Sequence, residues 1–167
     1  MAGFQRVVNQ YMSPAVEGDF ADHSIRTQQL ASEGQLVANA NGTTIARFAW
    51  FLDGQVYNAG TIPPAGFIHR EQQALITDYL GSDSMLIPAG TPVTILTQGS
   101  FWARTATEAT IGQKVFASTT DGSVATGAAG ATVDGYVETQ FYVGSAGAAD
   151  ELIQIGSWIY GVNGTGE

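Results

Sequence analysis

The sequence contains no cysteine and a single lysine, Lys114. The first absence excludes disulfides and thiolate metal sites, and leaves the redox compartment unspecified. The second bears on partners. Besides Lys114, the only strongly basic side chains are Arg6, Arg26, Arg47, Arg70 and Arg104, which are widely scattered. Proteins that hold nucleic acid neutralise phosphates with clustered Lys and Arg, so neither DNA nor RNA is an expected partner. The lack of a basic amphipathic face argues equally against an anionic membrane surface. The net charge of −9 comes from this shortage of bases more than from an abundance of acids, and it favours solubility. No stretch approaches a membrane span, and the opening "MAGFQRVVNQYMSPAVEGDF" lacks the basic start and apolar run of a signal peptide. Synthesis and residence in a cytoplasm are expected.

Recognisable catalytic and nucleotide-binding motifs are also missing. There is no Gly-x-Ser-x-Gly elbow, phosphate loop, dinucleotide fingerprint or HExxH pair, although the chain holds 21 glycines. Those glycines instead punctuate runs of β-branched and aromatic residues, as turns between short strands do. Asp53-Gly54 in "TIARFAWFLDGQVYNAG" and Asp121-Gly122 in "KVFASTTDGSVATG" mark hairpins, because both residue types tolerate the positive φ of a tight turn. "PVTILTQGSFWART" reads as a looser hairpin around Gln98-Gly99. In "GYVETQFYVGS", alternation puts Val137, Thr139, Phe141 and Val143 on one face and Tyr136, Glu138, Gln140 and Tyr142 on the other. Val124 and Val133 fit short strands within the Gly/Ala-rich segment between them, and "ELIQIGSWIYGV" closes the fold. Helical pattern is scarce; "FIHREQQALITDYL" is the one candidate, and an extended reading of "QALIT" competes with it.

With 167 residues, 44% of them apolar, the chain can bury one sizeable core. The expected architecture is all-β, a β-sandwich or jelly-roll-like barrel over residues 21–167, preceded by an extended N-terminal arm over residues 1–20. Such an arm cannot bury Phe4, Tyr11 or Phe20 on itself, so each must dock on the domain or on another chain.

Candidate chemistry is thin. His69 and Glu71 could form a base and its orienting carboxylate, but no nucleophile lies near them in sequence, and a polar turn or a hydrogen-bonded imidazole explains them as well. His23 with Asp19 and Asp22 has no fixed metal-ligand spacing. Asp78 to Asp83 lacks the alternation and closing Glu of a calcium loop. The "NGT" triplets at Asn41 and Asn163 read as turns more readily than as glycan acceptors. Trp50, Trp102 and Trp158, with Tyr57, Tyr136 and Tyr142, could offer sugar-stacking platforms, but aromatics among apolar strand neighbours are usually core. A hydrolase using two of the 15 acidic residues would need two facing acids with raised pKa values.

The segments "PAVEGDFA", "GFIHREQQALITDYL", "MLIPAGTPVTILTQGSFWART", "ATIGQKVFAS", "GYVETQFYVGSAG" and "ELIQIGSWI", in this order, resemble the structural cement, or head decoration, proteins of tailed bacteriophages. The resemblance implies a noncatalytic protein without cofactor or metal, made in the host cytoplasm and carried on the outside of the virion. It would clamp neighbouring major capsid subunits and associate with itself as a dimer or trimer. A glycan-binding module on the virion surface is the alternative. Under the cement reading, Phe4, Tyr11, Phe20, His69, Arg70 and Glu71 are the expected contact residues: the aromatics because an arm has no core of its own, the polar trio because charged pairs set register at interfaces.

Overall fold

A computed structural model describes residues 15–31, 34–71 and 85–158, and every regular element among them is a strand. The elements are β1 (Thr27–Gln28), β2 (Val37–Ala38), β3 (Thr43–Thr44), β4 (Phe48–Leu52), β5 (Gln55–Tyr57), β6 (Gly66–Phe67), β7 (Leu86–Ile87), β8 (Leu96–Gln98), β9 (Ser100–Arg104), β10 (Lys114–Ser118), β11 (Val124–Gly127), β12 (Tyr136–Val143) and β13 (Leu152–Gly156). They form a six-stranded sheet in the order β1-β8-β6-β4-β5-β2, a five-stranded sheet in the order β11-β10-β12-β13-β9, and the small pair β3-β7. The chain is thus all-β, and its two large sheets are layered as a sandwich.

The core lies between those sheets. Phe48 and Phe67 project from the first, Phe101 and Phe141 from the second, and the four rings touch in a closed circuit with centroid spacings of 5.3, 5.0, 6.1 and 5.4 Å. All four are essentially inaccessible to solvent. Tilted and edge-on contacts of this kind add to the stabilisation from area burial alone. Alternation along β12 buries Thr139, Phe141 and Val143 and packs Val137 against the core, on the face that the sequence pattern assigns to them.

Two of the sequence-read turns are hairpins. Leu52 pairs with Gln55 across Asp53 (φ 50°) and Gly54 (φ 76°), a two-residue turn with both φ values positive. β10 and β11 pair around Asp121-Gly122, in register Ala117 to Val124. The third is not a hairpin. β8 and β9 belong to different sheets, and Gly99 between them is the corner at which the chain crosses the sandwich. One intervening residue is too few for antiparallel reversal, so β8 pairs with β1 and β6 while β9 pairs with β13. Val133 also departs from expectation: it lies outside any strand, in the turn whose carbonyl accepts from Tyr136 N. The helical candidate beyond Glu71, the Asp78–Asp83 stretch, Asn163 and the final residues lie outside the described residues, as do Phe4 and Tyr11.

Among the described residues, irregular segments of the chain cover three of the four edges of the large sheets. Residues 18–21 run along β9, with Gly18 N donating to Trp102 O (2.7 Å), Trp102 N to Asp19 O (2.9 Å) and Ala21 N to Ser100 O (2.9 Å). Beyond β9, Thr105 bridges Val124 and Ala106 N donates to Val124 O, so the five-stranded sheet meets its own far edge at β11. Residues 90–93 cover β2 through Ala38 N to Thr91 O and Val93 N to Leu36 O.

Candidate interaction site

The segment covering β9 builds the most distinctive cluster of the molecule. Gly18, at φ 88°, turns the chain so that its N–H reaches β9 while its carbonyl accepts from Arg70 N at 2.7 Å. One residue thereby ties the end of β6 to the opposite sheet. Phe20, next along, pairs with Phe101 in the backbone ladder and packs its ring 5.7 Å from that of Phe101. Its ring stacks at 4.7 Å and 28° on the imidazole of His69. Arg26 lies over the Phe20 ring, 3.5 Å from its centroid, in cation–π geometry.

Phe20, His69, Arg70 and Glu71 therefore come together at one edge of the sandwich, but as separate contacts. His69 Nε2 is 3.6 Å from Glu71 Oε1, and its side chain is only 11% exposed. Arg70 turns the other way and pairs with Asp19 at 3.2 Å. Among the described residues the buried imidazole Nδ1 has no hydrogen-bond partner. Burial depresses the His69 pKa, the Glu71 carboxylate opposes this, and the Arg26 guanidinium depresses it further. Burial and Arg26 therefore favour the neutral form of this ring, which packs between Phe20 and the core.

Arg26 has no place in the sequence reading of this site. Nothing in the spacing of residues 20 and 26 signals that their side chains meet; the only cue is that an arginine preferentially covers an exposed ring.

The other candidates disperse. Asp22 is occupied locally by Ser24. No group of three His, Asp or Glu able to hold a metal ion occurs among the described residues. Trp50 is buried, donates from Nε1 to Ile62 O at 2.6 Å and has Gly60 against its ring plane. Trp102 lies in the other sheet, and Trp158 is exposed beyond β13. Tyr142 is covered by Lys114, whose Nζ is 3.8 Å from the ring centroid. The tryptophans do not converge on one platform. Asn41-Gly42 is a turn, closed by Gly42 N to Asn39 O at 2.9 Å.

Fold and cluster define a β-sandwich module in which aromatic and charged side chains pin a terminal segment across the sheets. The profile of the XM1 gp53 minor capsid protein family matches residues 4–157, and the chain belongs to that family. It is a tailed-phage capsid-associated protein, as the sequence resemblance implies at that level. Among solved structures, a chain from the capsid of Myoviridae phage XM1 matches with a TM-score of 0.63 at 18% identity, covering 95% of this chain and 99% of that one. At that identity the likeness speaks for the shared fold. No curated protein matches the sequence.

Proposed function

We propose that this protein is a decoration, or cement, protein that binds the outer surface of the assembled phage head and clamps neighbouring major capsid subunits. The family match over residues 4–157 carries the reading. The physical character of the chain agrees with it. An acidic, lysine-poor sandwich stays soluble and is repelled by packaged nucleic acid, yet it carries large apolar side chains in solvent, with Ile25, Leu30, Leu52 and Ile62 all about two-thirds exposed or more. A capsid repeats one site many times, so interfaces of roughly 800 Å² per partner suffice collectively. Binding to the assembled lattice in preference to free subunits adds its free energy to the stability of the shell by linkage.

In this reading the N-terminal arm, with Phe4 and Tyr11, lies on a neighbouring chain, and the Phe20, His69, Arg70 and Glu71 cluster fixes the point from which it departs. Copies associate as a dimer or trimer on a local symmetry axis of the shell. Synthesis is in the host cytoplasm, and no nucleic acid, membrane, metal or cofactor takes part.

The test is cosedimentation of purified protein with bare mature capsids of its own phage, followed by heating of decorated and undecorated shells. Saturable binding with a raised temperature of DNA release is the expected result. Absence of binding overturns the reading, and saturable sugar binding that quenches tryptophan fluorescence would replace it with the glycan-binding alternative.

A further inference from the structure

We infer that residues 18–21 are an acid-sensitive strap: protonation of His69 releases them from β9 while the rest of the sandwich stays folded. The inference is independent of the cement reading, since it concerns how the chain closes on itself. The strap is lightly held. Among the described residues, its backbone bonds to the body of the fold are Gly18 N to Trp102 O, Trp102 N to Asp19 O, Ala21 N to Ser100 O and Arg70 N to Gly18 O. Two ion pairs flank Gly18, Glu17 with Arg104 at 3.3 Å and Asp19 with Arg70 at 3.2 Å; their side chains are partly exposed, and such pairs contribute little. The apolar hold is the Phe20 ring, placed against Phe101 at 5.7 Å and stacked on His69 at 4.7 Å.

The geometry around His69 suits a neutral ring. Its Nε2 faces Glu71 Oε1 at 3.6 Å, whereas Nδ1 is buried and, among the described residues, has no hydrogen-bond partner. A neutral imidazole carries one N–H, and the tautomer that places it on Nε2 directs it at the carboxylate and leaves Nδ1 as an acceptor. Protonation adds a second N–H at Nδ1, a buried donor with nothing to accept from it, at the cost of an unsatisfied polar group. The surrounding charges divide. Glu71, from the end of β6, favours the imidazolium, and Arg26, which approaches β1 and stacks on Phe20, opposes it. Asp19 on the strap is engaged by Arg70, and Asp22 by Ser24 and Arg26. The missing acceptor is water, which reaches the ring when Phe20 lifts, because the Phe101 and Phe67 rings beyond Phe20 belong to the sealed core. The open strap therefore binds a proton more readily than the closed one, and opening becomes more favourable as pH falls below the ordinary histidine range.

The experiment is amide hydrogen exchange of the full-length protein between about pH 7 and pH 5, corrected for the intrinsic pH dependence of exchange. Protection of the Gly18, Ala21, Arg70 and Trp102 amides should fall several-fold, and by no more than about tenfold per pH unit for one proton, while amides of β10 and β12 keep theirs. His69→Phe should remove the response. Glu71→Gln, which takes away the group favouring the imidazolium, should enlarge it, and Arg26→Gln should reduce it. A purely structural role for His69 would not move the pH response in opposite directions in these two variants, and they decide the matter if His69→Phe fails to fold. Protection that is flat with pH overturns the inference. So does a fall shared equally by β10 and β12, which would mean acid destabilisation of the whole domain, or a wild-type response that persists in His69→Phe, which would assign the proton to another group.

Discussion

Replacing Phe20 with alanine tests whether the segment at residues 18–21 is an integral part of the sandwich. The ring touches Phe101 at 5.7 Å and His69 at 4.7 Å and carries Arg26 at 3.5 Å. Truncating a fully buried Phe costs roughly 3–5 kcal/mol. Phe20 is half-buried, which brings the burial part to about 2 kcal/mol, and loss of the arginine contact adds about 0.5–1 kcal/mol. A total of about 2–3 kcal/mol corresponds, for a domain of this size, to a melting temperature lower by roughly 4–12 °C. Urea and thermal unfolding followed by circular dichroism would measure this. Hydrogen exchange would localise it, because the amides of Gly18, Ala21 and Trp102 join this segment to β9 and should exchange faster, while those of β10 and β12 stay protected. Phe20→Leu, which keeps apolar volume but loses the ring contacts, should recover about half of the loss. A Phe20→Ala protein within about 0.5 kcal/mol of wild type would refute the reasoning, since that is the effect of a surface substitution away from any specific contact.

His69 provides a pH test. Its folded-state pKa lies below the usual 6.5, first because of burial and then because of Arg26, with Glu71 acting in opposition. Between the two pKa values the unfolded chain binds more protons than the native one, so stability rises with pH there, is fully present above about 6.5 and is lost as pH falls through the folded value. His69→Phe keeps a ring against Phe20, removes the unpaired Nδ1 and should flatten this dependence in unfolding curves from pH 7 to 5; an unaltered slope would show that His69 is not its source. Glycine supplies a second comparison. Gly122 (φ 69°) has the Phe48 carbonyl where a Cβ would sit, whereas Gly54 (φ 76°) faces open space. Gly54→Ala should cost about 1–2 kcal/mol from backbone strain alone, and Gly122→Ala at least about 2 kcal/mol more from the clash. Equal losses in chemical denaturation would contradict the packing of the β10–β11 turn against β4.

What the sequence reveals here follows the range of the forces involved. Asp53-Gly54 announces a hairpin because a two-residue turn is decided by the φ preferences of its own residues, and β12 is readable because alternation is local to one strand. Gln98-Gly99 misleads for the same reason. A glycine signals that the chain bends, but whether it reverses or crosses to the other sheet depends on partners: β1 for β8, and β13 for β9. These pairings span some 50 to 70 residues, and no local propensity encodes them.

The row His69-Arg70-Glu71 shows the limit most clearly. Three adjacent polar residues resemble a site because catalytic groups must be close in space, and sequence adjacency looks like closeness. In the fold, His69 turns to Phe20 and the core, and Arg70 turns to Asp19 and, through its backbone, to Gly18. Glu71 reaches back toward the imidazole at 3.6 Å. Histidine and arginine find their main partners about fifty positions upstream, in the segment that seals β9. The polarity of the row therefore positions the beginning of the chain: a charged pair fixes its register, while a neutral buried imidazole provides the surface on which its aromatic ring rests. These residues fasten Gly18 and Phe20 to both sheets at once and so fix the segment at residues 18–21 in place.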